Sequence, residues 1–165
     1  MRRLLLSLLV IAATLPARGE TIRYPKLGAH AFRIELPQGW KATADKRGGL
    51  LLVSPDNHAM IYLAIATGAQ FRGQPESAVA GDVAKLAGIK EIEAQAPAQL
   101  ADRTGTAYFG ELTDKPGYAR KAKIVLVRLA PDVWAQQWIV TQAGMNSVER
   151  AALERALAGI TLARE

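Results

Sequence analysis

The chain contains no cysteine, only two histidines among 165 residues, and a 6% share of aromatic side chains. Without thiols there are no disulfides, no cysteine nucleophile and no thiolate-bound zinc. His30 and His58 are left as the sole imidazoles for base catalysis or metal binding. No Gly-x-x-x-x-Gly-Lys-Ser/Thr loop surrounds Gly48-Gly49, so nucleotide hydrolysis has no support. No Gly-x-Ser-x-Gly elbow surrounds Ser54, Ser77 or Ser147, which removes the usual sign of a serine hydrolase. Internal repeats and low-complexity segments are also missing. What is present is a 50% hydrophobic, 22% charged chain, the composition of one globular domain able to bury a core without covalent staples.

The N-terminus has the three-part layout of a secretory signal: Arg2 and Arg3, an apolar stretch from Leu4 to Ala13 broken only by Ser7, then Pro16-Ala17-Arg18-Gly19. That stretch is about half of the roughly 20 residues a spanning helix needs, so a cleaved leader over 1–19 is expected, with cuts after Ala17 and after Gly19 both open. The chain is thereby divided into that leader and a single domain over 20–165, destined for the periplasm or secretion, with no membrane insertion after cleavage. Loss of Arg2, Arg3 and Arg18 leaves 18 basic against 15 acidic side chains. The sequence pI near 9.8 therefore owes much to the leader, and nucleic acid is not an expected partner. A cysteine-free chain also suits an oxidising compartment.

Past the leader, Phe32, Ile34 and Leu36 alternate with Arg33 and Glu35, the period of two that sets one strand face on a core. Pro37-Gln38-Gly39 ends that strand, and Trp40 opens a segment running to Ala44. Leu50–Val53 and Ala59–Ala66 are apolar on both faces and predict strands covered on both sides. Pro75 at a first helical position, then Val79, Val83 and Leu86 at helical spacing and a Gly88 stop, predict one helix. Asn146 or Ser147 as a cap, with Leu153, Ala156, Leu157 and Ile160 as the apolar stripe, predicts a second. Between the helices lie Ile92–Ala96, Gly105–Leu112, Tyr118–Leu129 and Val133–Gln142, the last two joined by a turn at Pro131-Asp132. Hairpin, helix, hairpin, helix is the order of an α+β fold, an antiparallel sheet sandwiched by helices.

Tyr24, Phe32, Ile34 and Leu36-Pro37-x-Gly39-Trp40, followed by the apolar hairpin around Ser54-Pro55-Asp56, resemble the PsbP-like family. The matching segment covers about 35 residues, and the later order of helix, hairpin and helix is compatible with it. The resemblance implies an α/β/α sandwich and a binding or assembly role without catalysis; separately, no cofactor is expected. It assigns no site residue.

The residues themselves offer several contact candidates. Lys115, Arg120, Lys121, Lys123 and Arg128 concentrate positive charge on one strand, with Lys121 and Lys123 on one face. Such a stretch meets an anionic partner, or guards a sheet edge against aggregation. Trp134 and Trp138 share a strand face, a binding surface where that face is open and core where a helix covers it. Tyr24 is a separate contact candidate. Asp56 and His58 on one turn supply half of a metal site, and a third donor would have to come from folding, so no metal is expected. Solvated strand ends and turns account for Asp102, Glu111, Asp114 and Asp132. The expectation is an exported, non-catalytic domain bound to another envelope protein. The alternative is a carrier of an apolar or anionic small molecule held between sheet and helix.

Overall fold

The computed structural model describes residues 20–46, 48–113 and 119–163. The leader expected over 1–19, together with Asp114, Lys115 and Tyr118, lies outside the described residues.

The described residues form two antiparallel sheets and two α-helices. A small sheet joins β1 (Thr21–Tyr24), β2 (Phe32–Glu35) and β10 (Ile160–Leu162), with β2 in the middle. The large sheet contains β3 (Lys41–Ala44), β4 (Gly49–Val53), β5 (Ala59–Thr67), β6 (Ala94–Leu100), β7 (Arg103–Thr113), β8 (Ala119–Ala130) and β9 (Val133–Gln142). Its spatial order is β3-β4-β5-β9-β8-β7-β6, with every neighbouring pair antiparallel. Two hairpin units, one before the first helix and one after it, thus meet where β5 pairs with β9.

Period-two alternation on β8 and β9 sorts side chains onto two cores. Val125, Val127 and Ala135 join Phe32, Ile34, Ile61 and Leu63 in the core beneath the small sheet and α2 (Ser147–Ala158). Ile124, Leu126 and Trp134 join Val79, Ala80, Val83 and Ala84 of α1 (Glu76–Ala87) in the core on the other face. The expected sandwich is therefore present, one helix to each face.

Local signals work as the sequence indicates, with several corrections. Gly88 ends α1 in the left-handed region at φ 81°, its N–H and that of Ile89 turning back onto Ala84. Pro75 sits one place earlier than expected, as the extended cap residue rather than the first helical one. Asn146 caps α2, not Ser147: its side chain accepts from the Val148 and Glu149 N–H groups, and Glu149 reaches back to the Asn146 N–H. Ile160 belongs to β10, paired with Ile34, because the helix ends at Ala158 and the chain turns at Gly159, where an added Cβ would come within 2.7 Å of the Glu35 carbonyl. The strand expected at 92–96 begins at Ala94 and runs on through Pro97 to Leu100, an edge strand in which proline's missing donor is tolerated.

A larger correction concerns β4 and β5. Leu50, Leu52, Ile61 and Leu63 are buried under the small sheet and α2, but Leu51, Val53, Met60 and Tyr62 on the opposite face are only half-buried. Helix α1 packs against β7, β8 and β9, and among the described residues no helix lies above the β4–β5 half of that face. The apolar residues expected to lie beneath a covering helix instead form the floor of an open cleft.

Candidate functional site

The cleft is built around one cross-strand pair. Tyr62 on β5 stands opposite Trp138 on β9, the ring centroids 4.5 Å apart and the planes tilted by 38°. Both rings are half-buried, and the Tyr62 hydroxyl lies 3.4 Å from Asp45 Oδ2. The Tyr62 ring passes over Gly49, where an added Cβ would occupy the same space, so this glycine is set by close approach and not by backbone freedom. On one side of the pair lies a cavity of about 320 Å³, walled by Leu51, Met60, Leu112, Arg120 and Val140. On the other lies one of about 350 Å³, walled by Ala64, Phe71, Val83, Leu86 and Gln136. Tyr62 and Trp138 line both.

Leu86 falls in line with Val79 and Val83 on the helix and is expected to be core. It is instead 63% exposed, because the last turn of α1 overhangs the cleft. The indole Nε1 of Trp138 is buried and has no acceptor among the described residues. The cleft therefore combines an apolar floor, two stacked aromatic rings, an unmatched donor and a guanidinium at one end, the mixture of apolar wall and few polar groups typical of binding pockets.

The fold separates the residues that the sequence groups together. Trp134 is 1% exposed beneath α1, in the core, while Trp138 four residues on lines the cleft. The guanidinium of Arg128 lies 4.5 Å over the Trp134 ring and donates to the Gln74 carbonyl at 2.6 Å, so this cation clamps the segment before α1. Strand β8 is not an edge: it lies between β7 and β9, which removes the anti-aggregation explanation of its charges. Arg120 points to the cleft face, whereas Lys121 and Lys123 occupy the other face, Lys123 Nζ 5.9 Å from the centre of the Phe109 ring. The positive stretch is thus divided between two surfaces. Tyr24 pairs with Phe32 in the small sheet and packs half-buried on the core.

The histidines also part. His30 lines a small cavity with Asp102, Arg103 and Leu162. His58 is held by the fold: its Nδ1 lies 2.9 Å from Glu149 Oε1 in the first turn of α2. In the turn between β4 and β5 that carries His58, Ser54 Oγ donates to Asp56 Oδ1 at 2.5 Å and accepts from the Ala59 N–H at 3.0 Å. That hydroxyl serves the turn and meets no histidine in its described bonds. The Ser54 hydroxyl, with the His58 N–H, holds the Asp56 carboxyl below the usual aspartate range. Sequence reasoning missed Tyr62, Leu86 and Glu149. The signal available for Tyr62 was its place on the outer face of an apolar strand, but only pairing and helix placement show that this face is open.

No protein-family model and no curated protein sequence matches the chain. Solved structures do. LpqN of Mycobacterium tuberculosis, described as involved in cell envelope biogenesis, overlays with a TM-score of 0.52 at 16% identity, covering 87% of this chain and 89% of its own. A protein from Bacteroides thetaiotaomicron overlays with a TM-score of 0.50 at 13% identity and 81% coverage, and the chain spans only 45% of that protein's length. The Saccharomyces cerevisiae Ran-binding protein Mog1p gives a TM-score of 0.48 at 12% identity, covering 85% of this chain and 87% of its own. LpqN has the PsbP/Mog1 fold, so the fold that the N-terminal motif resembles is the one this chain adopts. At these identities the likeness is one of fold.

Proposed function

We propose that this chain is a non-catalytic binding domain of the bacterial envelope, and that it receives its partner, another envelope protein, in the cleft between α1 and the β4–β5 half of the sheet. The observation that carries this reading is the half-buried Tyr62–Trp138 stack flanked by two apolar cavities. Rings on a floor that neither described helix covers are the kind of aromatic anchor that dominates binding energy at interfaces. The signal-like N-terminus supports an exported location, and LpqN supports a role for this fold in an envelope. No helix among the described residues is long and apolar enough to cross a membrane.

A second reading has its own support. Cavities of about 320 and 350 Å³ fall in the size range of small-molecule pockets, and the unmatched Trp138 Nε1–H suits a ligand with an acceptor. Native mass spectrometry of the protein taken gently from the periplasm separates the two. A defined added mass of small-molecule size favours the carrier; bare mature chain favours the adaptor. Photo-crosslinking then locates the surface. A photoreactive residue at Leu86, on the cleft rim, is expected to capture an envelope protein, while one at Val148, an exposed apolar residue on α2, is not. Equal capture from both positions, or capture from Val148 alone, overturns the cleft as the binding surface.

A further inference from the structure

We infer that Asp56, His58 and Glu149 form a site for one divalent ion of the zinc type, which would join the β4–β5 turn to the start of α2. Each residue offers one ligand atom, and the three atoms lie within 4.8 Å of one another. The set mixes one imidazole nitrogen with two carboxylates, so the protein charge balances that of a dication. It is brought together across 91 positions of sequence, not by a local run of acids.

The carboxylates keep donor atoms in reserve. Glu149 uses Oε2 for the Asn146 N–H at 2.7 Å, which leaves Oε1 turned toward His58. Asp56 takes both of its bonds, from Ser54 Oγ and the His58 N–H, on Oδ1. A metal held through Asp56 Oδ2, Glu149 Oε1 and a His58 nitrogen therefore leaves the turn and the helix cap intact. Ligands at about 2.0 to 2.2 Å around tetrahedral zinc stand about 3.4 Å apart. The 2.9 Å His58–Glu149 pair is close to that spacing, and the Asp56 ligand atom, within 4.8 Å of the others, closes on them when the ion binds. Side-chain exposures of 42% for His58 and 16% for Glu149 leave a path for the ion and a water in the fourth position. Calcium is disfavoured because it takes six to eight oxygens and this set holds a nitrogen.

The test is calorimetric titration of zinc chloride into chelator-treated, dialysed mature protein, with thermal melts in zinc and in chelator. Saturable binding of one ion and a higher melting temperature in zinc are expected. Asp56→Asn, His58→Ala and Glu149→Gln should each weaken binding at least tenfold. In chelator, Asp56→Asn and Glu149→Gln should melt near the wild type, since asparagine keeps the turn bond and glutamine keeps the capping box. His30→Ala should bind as the wild type does. Absence of saturable zinc binding overturns the inference, as does unchanged affinity in His58→Ala or Glu149→Gln, or equal loss in His30→Ala.

Discussion

Tyr62 and Trp138 are direct cross-strand partners on β5 and β9, and their tilted rings meet at 4.5 Å on a face of the sheet that neither described helix covers. Aromatic partners on a covered face would be core, and here they divide an open cleft instead. A double-mutant cycle with Tyr62→Leu and Trp138→Leu, followed by urea unfolding, should give a coupling of about 0.5 to 1.5 kcal/mol. Gly49→Ala, which forces the Tyr62 ring from its place, should shift tryptophan emission without altering either ring chemically. A coupling near zero would mean that the rings do not meet in solution.

The three tryptophans differ in their access to solvent. Trp40 and Trp134 are 6% and 1% exposed, and Trp138 is half-buried on the cleft wall. Acrylamide should therefore quench mainly Trp138. Trp138→Phe is expected to remove most of the quenchable emission, and Trp134→Phe to remove little. The reverse result would place Trp134, not Trp138, at the surface.

The cap of α2 is a further quantitative test. Asn146→Ala should destabilise the domain by about 1 kcal/mol, because two helix N–H groups lose their acceptor. Ser147→Ala, one residue inside the helix, should change stability by less than about 0.5 kcal/mol. Urea midpoints for the two variants read the difference directly.

Tyr108 ties β7 to the start of α1 by donating to Glu76 Oε1 at 3.1 Å. Burial first, and then the neighbouring Glu76 charge, push its hydroxyl up to about 12 from the ordinary 10.0. A raised folded value means that the protonated phenol stabilises the fold in full below pH 10, and that this contribution is lost as the pH climbs toward about 12. Melting temperatures measured from pH 9 upward should fall less steeply in Tyr108→Phe than in the wild type. Equal slopes would show that this hydroxyl ionises like a free tyrosine.

Much of the fold was legible because its signals are local. Alternation at Phe32–Glu35, proline and glycine at 37–39, and the Gly88 stop each act within a few residues, and the structure keeps them. The small sheet was not legible. Strand β1 has four residues, β10 has three, and neither carries a pattern that stands out before it pairs with β2. The site was legible only in part. Arg120 and Trp138 lie on the cleft, whereas Trp134, identical in type and sharing its strand face, is sealed under α1.

The sequence by itself determined which strand faces are apolar and that α1 stops at Gly88, but it carried the stripe of the second helix on to Ile160, which belongs to β10. It could not determine which apolar face stays open. That follows from where α1 comes to rest, over β7, β8 and β9 rather than β4 and β5, a matter of long-range packing. Likewise Asp56 and His58 are a local pair that any turn can present, and only the pairing of distant strands and the docking of α2 bring Glu149 to within 2.9 Å of His58. Periodicity reports what a face is made of; the tertiary structure decides what the face meets.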